Sequence, residues 1–451
     1  MRQRIFSVVL TLLSGQLLFA QGNNTIGLSL QECVQMAVKK NITVKTARMD
    51  QEKSGYKKEE TRAALLPKVN FSGSFQDNLQ LPTTILPGEI IGEPGTSVAF
   101  QMGSQYSTSA SIGISQILFS QTALTAVQLS KKASELSSLS VEKASENIAA
   151  EVAKLYFLAL TTAEQRKLIE GNIARTERLK KITKITTDNG IGKQIDLDRV
   201  NVNLENYYTQ LSNTLATQEQ QTNMIKYMLD IPLEQTILLT DEANTLLLQN
   251  DPSLISDFSN HIDIQLLESQ QDMNRLNQKM ITDGYLPTLS LSGGIALQGL
   301  RNEFKNYFNE NAENKWFPNS SLSLSLSIPL FDGFEKRSKS RQARLDYQKV
   351  QANLESTKEL LNMNYRNATN NYQNNKSVVR RQQQNLALAE KVYDETTLRY
   401  REGLAAMSNL LQDEISLSNA QAGYLTALYN FKDAELKIMS LNGGIKDLIY
   451  K

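Results

Sequence analysis

The sequence predicts a mixed α and β membrane protein built from two structural repeats, and three observations carry that reading. Four short segments alternate serine with leucine or isoleucine. Two long stretches, Gln121 to Asp188 and Glu335 to Arg401, contain no proline. The second half of the chain echoes the first in order.

Composition removes most alternatives. Of 451 residues, Lys and Arg number 48 and Asp and Glu 47, so no charge excess points to nucleic acid. One cysteine, Cys33, excludes an internal disulfide, and one histidine, His261, leaves little material for metal or nucleophilic centres. No phosphate loop, nucleophile elbow or zinc-protease helix occurs. No catalytic, cofactor-binding or metal residues are expected.

Residues 1–20 read as a signal peptide: Arg2 and Arg4, an apolar run from Ile5 to Phe19, then Ala20 before Gln21. The competing reading, an uncleaved anchor, suffers from the shortness of that run. Cleavage leaves 46 basic against 47 acidic groups, a formal charge of −1 instead of +1. Glu32 before Cys33 argues against lipid attachment, and a buried position on a helix suits this thiol better. Beyond residue 20 nothing is apolar enough for a transmembrane helix.

The internal repeat is the most informative feature. Asn41 to Gly73 aligns without gaps on His261 to Gly293, a shift of 220, with Ile42, Gln51, Leu66, Pro67, Ser72 and Gly73 finding identical mates. Leu118-Phe119 matches Leu330-Phe331 at 212, and Gly190, Leu197, Leu204 and Ile225 match Gly403, Leu410, Leu417 and Ile438 at 213. The shift changes between residues 73 and 118, inside a connecting loop where insertions belong.

Each repeat reads as helix, hairpin, long helix, turn, helix. The first covers 21–230, with a hairpin at about 68–118 and a turn at about 189–195. The second covers 260–442, with a hairpin at about 288–330 and a turn at about 402–408. Residues 231–259 connect them and 443–451 form a tail. One helix is expected from Ser29 to Ala64, ended by Leu66-Pro67. Period two follows: Val69, Phe71 and Phe75 oppose Asn70, Ser72 and Ser74. A polar loop with Pro82, Pro87, Gly88, Pro94 and Gly95 leads to a return strand setting Ala110, Ile112 and Ile114 against Ser109, Ser111 and Ser115. In the second half Leu289, Leu291, Ile295 and Leu297 oppose Ser290, Ser292, Gly294 and Ala296. The last strand sets Leu322, Leu324, Leu326 and Ile328 against Ser321, Ser323, Ser325 and Ser327.

Segments of about nine to twelve residues are long enough to cross a bilayer as tilted strands. A half-buried strand in a soluble sandwich alternates too. The serine-rich polar faces suit a wet lumen, however, and aromatics gather at the ends: Tyr106, Trp316 and Phe317 at one margin, Phe119 and Phe331 at the other. Four strands cannot close a barrel, and open edges are not tolerated in lipid, so copies must associate.

The two long helices would each reach roughly 100 Å, too long for a globular core. Heptads agree: Tyr365, Tyr372, Val379, Leu386, Tyr393 and Tyr400 recur every seven residues. Leu417, Tyr424, Phe431 and Ile438 do likewise, with Ala420, Ala427, Ala434 and Leu441 three places on. All nine prolines lie outside the proposed helix interiors. A fibrous scaffold or adhesin explains the heptads but not the four matched strands. His261, aligned with Asn41, is expected to cap or pack a helix entrance.

Several signatures occur in order: Leu28-Ser29-Leu30-Gln31-Glu32-Cys33-Val34-Gln35-Met36-Ala37 with Asn41 after it; Leu-Pro before the first and third strands; Ile328-Pro329-Leu330-Phe331-Asp332-Gly333; and Tyr400-Arg401-Glu402-Gly403-Leu404 followed by Leu410-Leu411. This set resembles the TolC family of outer-membrane efflux proteins over residues 28 to 442. The first half departs from it at Ile117-Leu118-Phe119-Ser120-Gln121, which lacks Pro and Gly.

The resemblance implies a homotrimer in outer-membrane lipid, whose twelve strands close one barrel continued by a coiled-coil α-helical barrel in the periplasm. It implies an exit duct for efflux or type I secretion, partnered by a periplasmic adaptor and an inner-membrane transporter, with no cofactor. Pro67, Pro287 and Pro329 would mark strand–helix junctions. Asn189, Gly190, Ile191, Glu402, Gly403 and Leu404 would form tips where the adaptor docks, and the two glycines would end helices in a left-handed conformation. The family's aperture acids, six and nine places beyond that glycine, fall on Asp196 and Arg199 and on Asn409 and Gln412. Asp196 and Asn409 are also good N-caps for the returning helices, and both roles can coexist.

Overall fold

The structure, a computed structural model, describes residues 25–92, 94–243, 258–308 and 315–450. The signal segment expected over 1–20 lies outside them, as do 244–257 of the connecting segment. Eight α-helices are described: α1 (Leu30–Lys40), α2 (Ile42–Ala63), α3 (Gln121–Asp188), α4 (Gln194–Leu229), α5 (Ile262–Asp283), α6 (Glu335–Arg401), α7 (Met407–Leu441) and α8 (Ile445–Tyr450). The strands are β1 (Ile26–Leu28), β2 (Lys68–Asp77), β3 (Thr83–Pro87), β4 (Ser97–Gln101), β5 (Tyr106–Ser120), β6 (Ile237–Leu239), β7 (Thr288–Arg301) and β8 (Trp316–Ser327). The chain divides into two compact units that cut across the sequence repeats. One draws on residues up to 48, 140–264 and from 356; the other on 49–139 and 265–355.

In the first, helical unit, β1 pairs in parallel with β6, and α1 lies over a buried apolar cluster. Cys33, Val34 and Ala37 of α1 join Ala149, Val152 and Phe157 of α3, Leu229 of α4 and Met439 of α7 there. Ser29 starts α1 through a reciprocal capping box with Glu32. Asp241 accepts from the Leu30 amide at 2.7 Å and from the Tyr156 hydroxyl at 2.9 Å, tying the β6 connection to α1 and α3. The Cys33 thiol is fully buried, which pushes its pKa up to about 12.

Two expectations change in this unit. The helix foreseen from Ser29 to Ala64 breaks at Asn41, whose ψ is 137°. Asn41 Oδ1 accepts from the Thr43 amide at 2.9 Å, and Nδ2 donates to the Met228 carbonyl at 3.3 Å. A side chain able to bond its own backbone two residues on offers an alternative to helix continuation. His261 repeats the device: Nδ1 accepts from the Asp263 amide at 3.2 Å at the start of α5. Burial holds the imidazole pKa below its ordinary value, which suits an acceptor nitrogen. The expected tail is also largely helical: α8 buries Ile445 and Ile449 in the apolar cluster.

The heptad residues of α6 and α7 are packed as their spacing requires. Tyr365, Tyr372 and Tyr393 are buried, as are Ala420, Ala427, Ala434 and Leu441. Tyr372 meets Phe431 at a centroid distance of 5.4 Å. Lys432 and Glu435 are wholly buried as a 2.7 Å ion pair, with the ammonium 5.5 Å from the Phe157 ring centre.

The second unit carries an antiparallel sheet in the order β2–β5–β7–β8. Its register sorts side chains by face. Ser72 stands opposite Ser111, Ser115 opposite Ser292, and Ser290 and Ser292 opposite Ser325 and Ser323. The Ser72–Ser111 and Ser74–Ser109 hydroxyls bond at 2.7 and 2.8 Å. On the other face Phe71 faces Ile112, Ile112 faces Ile295, and Leu291 faces Leu324. Every residue of β2 and β8 is exposed, and among the described residues of this unit no second layer covers the sheet. The loop after β2, expected to be irregular, holds the β3–β4 hairpin in register from Thr83↔Gln101 to Pro87↔Ser97.

Removing one member of the buried pair takes from the other its 2.7 Å partner at a fully buried site. Lys432→Met is expected to destabilise the helical unit by about 3–5 kcal/mol, whereas Lys432→Met with Glu435→Leu returns close to wild type. Thermal unfolding followed by far-ultraviolet circular dichroism in detergent checks both.

Candidate functional site

Two tight turns close the helical unit at its tips. α3 ends at Asp188, and Gly190 takes φ +77°; its amide donates to Thr187 at 2.9 Å, while the Ile191 amide donates to Thr186 at 2.9 Å. α6 ends at Arg401, and Gly403 takes φ +75°, with Gly403 donating to Tyr400 at 3.0 Å and Leu404 to Arg399 at 2.8 Å. Both are Schellman caps in which a left-handed residue satisfies the last carbonyls, and glycine adopts that conformation without a Cβ penalty. The motif turns the next side chain outward: Ile191 is 82% and Leu404 74% exposed. Asn189 and Glu402 precede the glycines and are exposed as well.

A cleft of about 700 Å³ lies between the tips, lined by Ile191, Lys193, Asp196 and Arg199 from one turn and by Tyr400, Gly403 and Met407 from the other. Asp196 Oδ1 lies 3.4 Å from the Arg199 guanidinium, so the acid has a cation on its own helix. Asn409 and Gln412 are exposed and do not line this cleft. The N-cap role expected of Asp196 and Asn409 is not what the structure shows. α4 and α7 begin after Lys193 and Ala406, neither of which makes a side-chain cap bond. Asp196 and Asn409 sit one turn later, inside their helices, because the Schellman turns are shorter than the spacing suggested.

Sequence reasoning missed two features here. A Cβ on Gly192 would come within 2.9 Å of the Thr186 and Thr187 hydroxyls, so this second glycine is also required. Deeper in the unit, Glu414 is 2% exposed and gathers three helices. Thr176 of α3 donates to it at 2.6 Å and Asn203 of α4 at 2.7 Å. One turn along, Asn172 donates to Gln421 at 3.0 Å, and Arg175 stacks 5.8 Å over the Tyr393 ring. The available signal was Leu410, Glu414, Leu417 and Gln421 sharing one seam, where an acid stands among leucines.

In the strand-bearing unit the prolines stand at changes of structure. Before Pro67 the chain leaves α2 through i→i−3 bonds, the last from Leu66 to Ala63 at 3.1 Å; before Pro287 it leaves α5 likewise, Leu286 donating to Asp283 at 3.0 Å. Pro329 follows β8, and the chain turns at Gly333 and Phe334, both with positive φ, before Asp332 Oδ2 accepts from the Lys336 amide at 3.1 Å. Where Pro and Gly are missing, β5 bulges at Leu118 and enters α3 directly, Ser120 Oγ accepting from the Ala123 amide at 3.3 Å. Aromatics flank the sheet: Phe75 stacks on Tyr106 at 6.0 Å, and the buried Arg301 lies 5.3 Å from the Tyr307 ring centre. Trp316 and Phe317 open β8, 42% and 51% exposed. No group of residues that could hold a metal occurs among the described residues.

Comparison with known proteins agrees with this geometry. A family model described as outer membrane efflux protein matches residues 33–229 and 259–444. The outer membrane protein TolC of Escherichia coli K12 is 21% identical over 431 residues, covering 93% of this chain and 83% of that protein. The TolC of Vibrio cholerae is 20% identical over 409 residues, 86% of each. Among solved structures, the outer membrane protein VceC of Vibrio cholerae superposes with a TM-score of 0.71 at 13% identity, over 92% of this chain and 96% of that one.

Burial has the largest influence on the Glu414 carboxyl and raises its pKa above 4.5, against the lowering by Thr176, Arg175, Asn203 and Tyr207. A raised value means the folded chain holds the proton more tightly than the unfolded one. This group's contribution is therefore complete below the unfolded pKa and is lost as pH rises through the folded value. Thermal midpoints are expected to fall as pH rises above 4.5, and Glu414→Gln to flatten that dependence; melting scans between pH 4 and 8 measure it.

Proposed function

Because the chain belongs to the outer membrane efflux protein family, we propose that it is the exit duct of a tripartite efflux or type I secretion system. Its place is the outer membrane, with the helices in the periplasm. The observation that supports the duct most directly is the four-stranded sheet, serine on one face and leucine and isoleucine on the other, uncovered on both. A half-buried soluble sheet needs a layer over its apolar side, and none is present among the described residues of that unit. Lipid supplies that layer.

Three copies would align β8 of each with β2 of the next, closing twelve strands around a lumen of serine, glycine and asparagine. Such a wall stays hydrated and binds nothing strongly, as passive conduction requires. The helices of three copies would continue the passage through the periplasm as a coiled-coil barrel. At its far end the exposed Ile191 and Leu404, raised on glycine turns, would meet the helical hairpins of a periplasmic adaptor, which joins the duct to an inner-membrane transporter. The reduced acid count at the aperture, Asp196 beside Arg199 in one turn and Asn409 and Gln412 in the other, favours a gate of polar contacts that part as the tips splay. A coiled-coil scaffold or adhesin would leave the alternating sheet without purpose.

Three measurements test this reading. The protein should leave membranes only in detergent and run as a trimer of roughly 150 kDa, three chains of 50.6 kDa less their signal peptides. A monomer soluble in plain buffer overturns it. Ile191→Asp with Leu404→Asp should abolish cross-linking to the adaptor of its own system while trimer yield holds, and retained cross-linking removes the docking assignment. Asp196→Ala frees Arg199, so conductance in planar bilayers and its dependence on cations should both change; unaltered traces rule out the aperture role.

A further inference from the structure

Between β8 and α6 the strand-bearing unit presents a surface that neither barrel closure nor conduction explains. Ile328, Leu330, Phe331 and Phe334 are 50%, 94%, 76% and 59% exposed, a solvent-facing apolar knuckle within seven residues of one another. In sequence, Ile328 and Leu330 continue the alternation of Leu322, Leu324 and Leu326, and the knuckle follows directly on the end of β8 at Ser327. The Phe331 and Phe334 rings meet edge to face at 5.4 Å. Phe334 takes φ +65°, a left-handed conformation that a bulky side chain adopts only under constraint.

Directly after the knuckle comes a basic stripe. Arg337 lies 6.0 Å over the Phe334 ring, and Arg341 and Arg344 follow at the spacing that keeps side chains on one helix face. All three are exposed, and none forms an ion pair or hydrogen bond among the described residues. The neighbouring cations are occupied: Lys336 bonds Asp332 at 3.1 Å, and Lys339 pairs with Glu335. The arginines alone keep their charge for something outside the chain.

We propose that this stripe docks the anionic phospholipid headgroups of the inner, periplasmic leaflet, with the knuckle seated at the headgroup level. The proposal rests on the reading that the sheet spans the bilayer. Aromatic rings prefer that interface, and arginine stems run along apolar surface while their heads reach phosphate. The planar guanidinium matches a phosphate diester with two parallel hydrogen bonds, where an ammonium offers one point charge. Three arginines spread over two helical turns, about 10 Å along the axis, suit several phosphates of one monolayer better than a single small anion.

The test uses the full mature trimer, delipidated in detergent and titrated with phosphatidylglycerol or phosphatidylcholine under native mass spectrometry. Wild type should retain phosphatidylglycerol in preference, and less of it as salt rises. Arg337→Gln with Arg341→Gln and Arg344→Gln should lower that retention by tenfold or more, at about fivefold per charge, with phosphatidylcholine unaffected. The corresponding triple lysine variant should keep most of the preference, separating charge from folding. Equal phosphatidylglycerol binding by wild type and the glutamine variant overturns the proposal. So does a variant whose pore changes ion selectivity in planar bilayers while its lipid binding stays constant, since that places the arginines in the lumen. If the protein is released from membranes by alkaline carbonate without detergent, the membrane-spanning reading itself fails. A detergent-requiring protein without lipid preference defeats this proposal alone.

Discussion

Backbone hydrogen bonding at the sheet edges constrains everything else in this chain. β2 and β8 each present a row of N–H and C=O groups with no partner strand, over ten and twelve residues. In water such edges are an aggregation hazard; in lipid each unpaired group costs several kcal/mol, more than any side chain on the strand recovers. The two edges belong to opposite ends of one sheet, so the cheapest remedy is for the last strand of one copy to pair with the first of another. The side chains then follow. Serine is small enough for Ser72–Ser111 and Ser74–Ser109 to bond across strands, while Phe71, Ile112, Ile295 and Leu322 share the other, apolar face.

The helices answer the same problem with different means. A helix satisfies its own backbone, so only its seams and ends need partners. Alanine at 420, 427 and 434 of α7 and tyrosine at 365, 372 and 393 of α6 are buried, and the Tyr372 ring meets that of Phe431. At the ends, glycine at 190 and 403 supplies the left-handed residue that closes each carbonyl pattern in the fewest residues. The sheet leaves two edges unpaired among the described residues, and the tips expose Ile191 and Leu404.

Much of this was legible because period and composition carry it. The change from 3.6 to 2 at Pro67 and Pro287, the seven-residue recurrence of tyrosine and the serine–leucine alternation each reflect one backbone geometry, and the strands fall where those patterns lie. What stayed hidden depends on single side chains meeting at a distance in sequence. Nothing local marks Asn41 as a break until Met228 supplies a carbonyl for its amide. Asp196 and Asn409 resemble N-caps, but cap position is set by the length of the Schellman turn, which spacing alone does not reveal. Glu414 meets Thr176 across 238 positions, and its only trace was an acid on an apolar seam. The β3–β4 hairpin escaped notice because its prolines and glycines read as loop, although Pro87 stands at the end of its strand, where a missing N–H does least harm.

The distribution of apolar and polar contacts inside the helical unit carries a mechanical consequence. Around α1 and α8 one large apolar cluster joins residues of β1, α2, α3, α4 and α7, and deleting any of its members leaves a cavity that dense packing cannot refill. Towards the tips the apolar groups thin into two small clusters, around Val200 and Leu410 and around Ile173 and Leu204. Between them the helices are joined by Glu414, Thr176, Asn203, Asn172 and Gln421, whose partners are hydrogen bonds. Apolar packing resists small displacements because every shift opens a void, whereas a hydrogen bond can exchange its partner for water at a modest net cost. Under the proposed gate, the region that would part is held by exchangeable contacts, and the region around α1 and α8 is held by packing. The burial of Glu414 limits how readily its bonds are traded: water must reach the carboxylate before it can replace Thr176 and Asn203, so under the proposed gate the seam would open from its solvent-facing end at the tips.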